Sequence, residues 1–553
     1  MRCLRSIWRC SARSSTADRG KSGIIKAFGS HSGGSDDSLI CMTPETAPQP
    51  ASGTKALGRT AARGVAWAML TTVVSKLASL GSQVALGWML TKEDFGVYAS
   101  AMAVASMVLI FRDGGAAKLL VQKGSDYTGL ARPILAISMM FNVGAATLMV
   151  AASPIAGWAY GDARVALLLW IMAASLAISS PPMVGRAKLV SDLRFRDVAK
   201  VSTTVVLVKY GLVVAFAALG LGPVSFVLPL IIVEVVDWVM CRSMAGPLPP
   251  RSVSRPLTGA LFAEVFRDAK WIILSALAAA FLMNGDYLVL GLMTDQRTLG
   301  IYFFGFQLTT AVSVLFTSSM QQTLMPAFVK LKEDPQRLGR AYATSIWLLT
   351  LVAAPMCVAA ALAVPAAIEL VWQGKWRDAS VVSQVMLLAL LTRLMSPLSR
   401  ALLEALGRWR LQAVSILIDG LGMMAVTGAA TWLAEGDIPR IAITIAAYRL
   451  AGGLVHAWIA ARASGLSTSA FAESLRALPI AAGLGLLCWA AGEFLDADRH
   501  WPMVDRSLGS ASAFAALFGV FALIRWRGEY HALYLRFRSR DRRAAPPVSG
   551  DAD

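Results

Sequence analysis

The sequence predicts an all-α, polytopic membrane protein of about fourteen transmembrane helices. Two pseudo-symmetric six-helix lobes are expected, followed by two additional C-terminal helices. Composition is the first reason: of 553 residues, 56% are hydrophobic and 16% are charged, against about a quarter charged in soluble domains. Apolar runs are the second. Stretches such as 65–90, 134–152, 198–219, 271–293 and 411–433 can each cross a hydrocarbon core about 30 Å thick. The third is a faint internal repeat, spaced by about 200 residues, as in transporters built from parallel six-helix halves.

Residues 1–60 are rich in Ser, Gly, Arg, Thr and Pro and lack a continuous apolar run. They are expected to be a disordered tail rather than a secretory signal. Met42 offers a second start, and translation is expected to begin there. Spans follow near 65–90, 96–119, 133–153, 165–183, 198–219 and 223–242, which makes 61–245 the first lobe. The Pro-rich GPLPPRSVSRP (Gly246–Pro256) opens a linker over 246–270. Spans near 271–293, 300–325, 344–364, 379–403, 411–433 and 440–461 make 271–465 the second lobe. Two more, near 476–494 and 508–525, fill 466–528, and 529–553 is a basic tail.

The net charge of +18 would suit a nucleic-acid partner, but its distribution excludes that class. Arg and Lys gather in alternate short loops and the C-terminal tail, 28 on one side against 8 on the other. That asymmetry makes the basic side cytoplasmic, with both termini inside. The cysteines Cys3, Cys10, Cys41, Cys241, Cys357 and Cys488 form no CxxC pair, and the histidines His31, His456, His500 and His531 are dispersed. No metal or cofactor is expected. His456 lies in a span and reads as packing.

The repeat rests on two pairs of motifs. LTKEDFGVYASA and LMTDQRTLGIYFFG each place Gly-x-Tyr (Gly96 to Tyr98, Gly300 to Tyr302) where a helix begins. Arg194–Arg196 (RFR) and Arg408–Arg410 (RWR) each precede an apolar span. Six spans separate the members of each pair, so the halves run in the same orientation.

These segments carry a resemblance. Residues 90–122, LTKEDFGVYASAMAVASMVLIFRDGGAAKLLVQ, resemble the early part of bacterial polysaccharide flippases of the multidrug/oligosaccharidyl-lipid/polysaccharide exporter superfamily. NGDYLVLGLMTDQRTLGIYFFGFQL, QTLMPAFVKLKEDPQRL, QGKW and LLEALGRWR are similar to its colanic-acid and teichuronic-acid exporter branch. The likeness covers roughly 60–460. It implies a central cavity and alternating access for an undecaprenyl-diphosphate-linked oligosaccharide, in exopolysaccharide, capsule or O-antigen synthesis. Membrane lipids, a polysaccharide polymerase and a chain-length regulator are the partners it suggests. A multidrug or cation antiporter of the same superfamily is the alternative, but it should favour acidic cavity residues for cationic drugs. An enzyme is disfavoured, because the outward loops are short and no nucleophile–base set is visible.

Candidate binding residues are the charges and amides inside spans. A charged side chain there costs about 2.5–3.5 kcal/mol and needs a cavity or a partner. Lys76, Lys209 and Asp286 lie mid-span, where snorkelling is expensive. Arg112 and Asp113 either pair with neighbours or face the substrate, and Arg393 can act from the second lobe. Lys76, Arg112, Lys209 and Arg393 are expected to converge on the diphosphate, which needs countercharge and bidentate donors. Asn284 and Asp286 could coordinate sugar hydroxyls, carry a coupling ion or pair with an arginine; Gln307 is a further sugar-facing candidate. Asp237 and Glu404 are expected to snorkel. Trp88, Trp158, Trp372 and Trp376 are expected in interfacial belts.

Overall fold

The computed structural model describes residues 53–115, 120, 126–256, 258–499 and 502–526. The expected disordered tail, the Met42 start and the basic tail over 529–553 lie outside the described residues. Every regular element among the described residues is helical. Lipid demands this, because a spanning segment must satisfy its own backbone groups.

The first half contains α1 (Gly53–Met89), α2 (Lys92–Val108), a 3-10 turn (Leu109–Gly115) and α3 (Tyr127–Ala159). It continues with α4 (Ala163–Ala177), α5 (Ser180–Ser191), α6 (Phe195–Ala218), a second 3-10 turn (Gly222–Phe226) and α7 (Leu228–Ala245). The second half contains α8 (Gly259–Met293), α9 (Gln296–Leu331), α10 (Pro335–Trp372), α11 (Ala379–Arg393), α12 (Met395–Ala405), α13 (Trp409–Leu433) and α14 (Ile438–Ala463). A short α15 (Thr468–Ser474) leads to α16 (Ala477–Arg499) and α17 (Met503–Arg525), which pack on α10.

Eleven helices among the described residues are long and apolar enough to cross a membrane, or twelve if α4 and α5, bent by 47°, form one span. The other two of the fourteen expected spans fall on α8 and α9, where the side chains of 260–276 and 311–323 lie outside the described set. The chain is a multi-pass membrane protein.

The internal repeat reappears as geometry. The fourth span of each half is interrupted, by a 47° bend between α4 and α5 and by the single residue Leu394 between α11 and α12, which otherwise run as one span. A three-residue turn follows each break, 192–194 and 406–408. The middle residue of both turns has positive φ, Leu193 at 55° and Gly407 at 69°. Glycine takes that conformation freely, whereas leucine does so against its Cβ.

The Gly-x-Tyr turns meet each other. Thr91 and Asp94 form a capping box at the start of α2, and Asp295 caps α9 through the Thr298 amide. The two helix starts then cross so closely that backbone touches backbone. A Cβ on Gly96 would lie 1.8 Å from the Gln296 carbonyl oxygen, and one on Gly300 would lie 1.8 Å from that of Lys92. The contact is reciprocal, as a pseudo-two-fold axis requires.

Aromatic rings seal this end. Phe304 stacks on Trp376 at 3.8 Å, and Phe95 meets both edge-on. The Trp376 and Trp372 indoles donate to the carbonyls of Gly87 and Val84, Lys375 donates to those of Trp88 and Leu90, and Lys92 pairs with Asp378 at 2.6 Å. Trp372 and Trp376 are therefore buried between the halves and not in a belt, because their N–H groups find carbonyls there. Trp88 and Trp158 are exposed, as a belt requires.

The linker is tied down. Arg132 donates to the Pro249 carbonyl, the Arg255 amide donates to Gly129, and the Arg255 side chain pairs with Asp126.

Candidate substrate-binding site

The expected site residues do not converge. Arg112 lines a cavity in the first half and Arg393 one in the second, while Lys76, Lys209, Asn284, Asp286 and Gln307 line neither.

The second-half cavity, of about 350 Å³, lies among α8, α9, α11, α12, α13 and α14. At its wall Asp286 is wholly buried. It accepts from the Tyr302 hydroxyl at 2.9 Å and from Arg449 Nη2 at 2.7 Å. Of the roles open to the Asn284–Asp286 segment, Asp286 takes that of partner to an arginine. Asn284 is half-buried and makes no side-chain hydrogen bond among the described residues. Arg449 lies 4.8 Å over the Phe306 ring, a cation–π contact that helps hold it in place. Its Nε and Nη1, and the second Asp286 oxygen, are buried without a partner among the described residues. Such atoms cost about 1–3 kcal/mol each unless something else meets them.

Two further guanidinium groups line the same space, Arg393 and Arg400. The acceptor recorded for Arg393 is the Met283 sulfur at 3.9 Å, a weak contact, and Arg400 Nε is buried with no acceptor among the described residues. Asp419 is the carboxylate among the lining residues, and His456 Nδ1 stands 3.8 Å from it and 3.0 Å from the Gly452 carbonyl. His456 is thus buried at the edge of this cavity, beside Asp419. Gln307 is half-buried beside this cavity's wall and accepts from Thr310 at 3.3 Å.

The first-half cavity, of about 460 Å³, is lined by Arg112, Asn142, Ser179, Pro182, Met183, Arg186, Glu234 and Asp237. Here every arginine has a carboxylate. Arg112 reaches Glu234 at 3.3 Å, and Arg186 grips Asp237 at 2.9 Å while also donating to Ser202. Asn142 donates to Ser179 and Ser180 at the α4–α5 break. Asp237 is consequently buried in an ion pair and does not snorkel, and Glu404 accepts from Gln412.

Lys76 on α1 and Lys209 on α6 are half-buried, line neither cavity and make no ion pair among the described residues. Lys209 lies 5.5 Å from the Tyr210 ring. The Asp113 side chain lies outside the described residues. The expected convergence fails because Arg112 has an acid within its own half, and a charge in a low-dielectric setting takes the nearest partner.

Sequence reasoning marks Asp419 and Arg449 as charges inside spans without giving them a role, and it does not single out Arg400 and His456 as site residues. A signal is present: Arg393 and Arg400, and likewise Arg449 and His456, are seven residues apart, two helical turns along one face. No group of three or more His, Cys, Asp or Glu able to hold a metal occurs among the described residues.

Residues 85–381 match the family described as polysaccharide biosynthesis protein. Teichuronic acid biosynthesis protein TuaB of Bacillus subtilis (strain 168) is 22% identical over 474 residues, 84% of this chain and 95% of that one. The structure of lipid II flippase MurJ in an inward closed conformation aligns with a TM-score of 0.63 at 12% identity, covering 84% of this chain and all of that one. An inward-facing multidrug resistance MATE family transporter of the MOP superfamily aligns at 0.57 and 13% identity, over 71% and 94%. At such identities the likeness is one of fold.

Proposed function

Because the chain belongs to the polysaccharide biosynthesis protein family, we propose that it is a flippase that carries undecaprenyl-diphosphate-linked oligosaccharide units across the bacterial inner membrane by alternating access. Both termini are cytoplasmic in this reading, and a polysaccharide polymerase and chain-length regulator act downstream. The observation that carries it is the second-half cavity. Arg393, Arg400 and Arg449 surround one space inside the membrane domain, and nitrogen atoms of two of them lack protein acceptors among the described residues. A diphosphate is the natural complement: it brings countercharge and bidentate acceptors to guanidinium forks in a low-dielectric setting. The closed Gly96–Gly300 end supports the same reading, since an alternating-access carrier must seal one side while loading at the other. The guanidinium excess weighs against a cationic drug as cargo.

The test is glycan export in a deletion strain, with membrane abundance measured alongside. Arg393→Ala should abolish export at normal abundance, and Arg393→Lys should restore part of it, because charge survives while the fork does not. Arg112→Ala should act more mildly, as Arg112 is already neutralised by Glu234. Full export by the Arg112→Ala, Arg393→Ala double variant would sink the cationic-cavity mechanism.

A further inference from the structure

The first-half cavity has a chemistry that a diphosphate does not need. Its two guanidinium groups are balanced by two carboxylates, Glu234 and Asp237, so it carries no net call for an anion. What it offers is two carboxylates and two guanidinium forks, backed by Asn142 and Ser179, which are buried and bonded to each other, with Pro182 and Met183 as apolar lining. Carboxylates and amides accept and donate in pairs, at spacings that suit neighbouring hydroxyls. The ion pairs leave the groups in reach of a ligand, since the Arg112 and Arg186 side chains are 50% and 31% exposed. The cavity volume of about 460 Å³ falls within the range of about 300–1,000 Å³ typical of small-molecule sites.

Depth supplies the second argument. Arg112 follows Gly96 by sixteen residues along α2 and its 3-10 extension, and Arg393 follows Asp378 by fifteen along α11. Gly96 and Asp378 both belong to the closed end. At about 1.5 Å per α-helical and 2.0 Å per 3-10 residue, Arg112 and Arg393 lie about 26 and 22 Å along their helices from the closure, at similar depths. One amphiphile headgroup lying across the molecule would meet both.

We infer that the first-half cavity is the glycan subsite, binding uncharged sugar hydroxyls and setting which oligosaccharide is accepted, while the arginine cavity holds the diphosphate. The inference rests on the flippase reading and adds a division of labour to it. A site built to hydrogen-bond hydroxyls rejects ligands that lack them, because its polar atoms are then left unpaired.

The experiment measures binding to the purified full-length protein in nanodiscs, using undecaprenyl diphosphate and the same lipid bearing one oligosaccharide unit from the host strain. The wild type should favour the glycosylated lipid by roughly tenfold or more. Glu234→Gln, which keeps the shape, and Asn142→Ala should bring that ratio towards one without weakening the bare lipid, which the arginine freed from Glu234 can only favour. Arg400→Ala should weaken both lipids in equal proportion. A wild-type ratio near one overturns the inference, as does an unchanged ratio in the Glu234→Gln, Asn142→Ala double variant with a wild-type thermal midpoint. Wild-type protein that binds neither lipid defeats the flippase reading itself, a result distinct from either of these.

Discussion

Asp286 and Arg449 show how a charge persists in the middle of a membrane domain. Each is buried, and the pair is completed by Tyr302 and the Phe306 ring. Removing one member leaves the other buried and unpaired, which costs about 3–5 kcal/mol. Arg449→Met should therefore lower the thermal midpoint in detergent sharply, and adding Asp286→Asn should recover much of the loss. A single variant as stable as wild type would show that water already compensates the charge. Asp286 was legible in the sequence as a mid-span carboxylate. Arg449 was legible as an in-span charge as well, but the pairing was not, because 163 residues separate the two and nothing local couples them. Leu193 makes a second point at this scale. It holds the left-handed conformation that its counterpart Gly407 adopts freely. Leu193→Gly should raise the thermal midpoint by relieving a strain of about 1–2 kcal/mol, and Gly407→Leu should lower it.

At the scale of helices, the decisive contact is the crossing of α2 and α9. The sequence marks both helix starts: Thr91 and Asp94 form the box on one side, Asp295 caps the other, and Gly-x-Tyr recurs in register. It does not reveal that the two starts touch, since each glycine reads equally well as part of an isolated turn. The requirement for glycine appears only when the opposing backbone is seen at 1.8 Å from where a Cβ would stand. Trp372 and Trp376 mislead for the same reason. As indoles near span ends they fit a belt, and only the carbonyls of α1 draw them inward. Gly96→Ala or Gly300→Ala cannot be absorbed by a side-chain rotation, so α2 and α9 must part. Either variant should make a cysteine at Ser100 reactive to an impermeant thiol reagent in whole cells, where the parent Ser100→Cys protein is protected. Equal protection in both would show that the crossing tolerates a methyl group.

At the scale of the whole molecule, lipid imposes a pattern that composition and hydropathy reveal readily, so the all-helical fold was legible. The site was only half legible, because cavities arise from helix packing that hydropathy does not encode. Loop charges give the orientation to be tested: a cysteine at Arg499 should label from outside and one at Ser254 should not, and labelling at Ser254 would overturn the topology. Orientation in turn gives the crossing its role. Lys92 and Lys375, which help to seal it, belong to the sparsely charged set of loops, so in the proposed orientation the closed end is the periplasmic one. A carrier trapped in this state could load but never deliver. Ser100 and Gln296 offer the means to trap it, because their side chains already meet at 3.0 Å across the crossing. In a background without native cysteines, Ser100→Cys with Gln296→Cys should form a disulfide under mild oxidation, halting glycan export while binding of the lipid-linked substrate persists. Reduction should restore export, since the bond removes only the opening motion. Full export by the cross-linked protein would mean that the halves need not separate at this end, and alternating access through the Gly96–Gly300 crossing would be wrong.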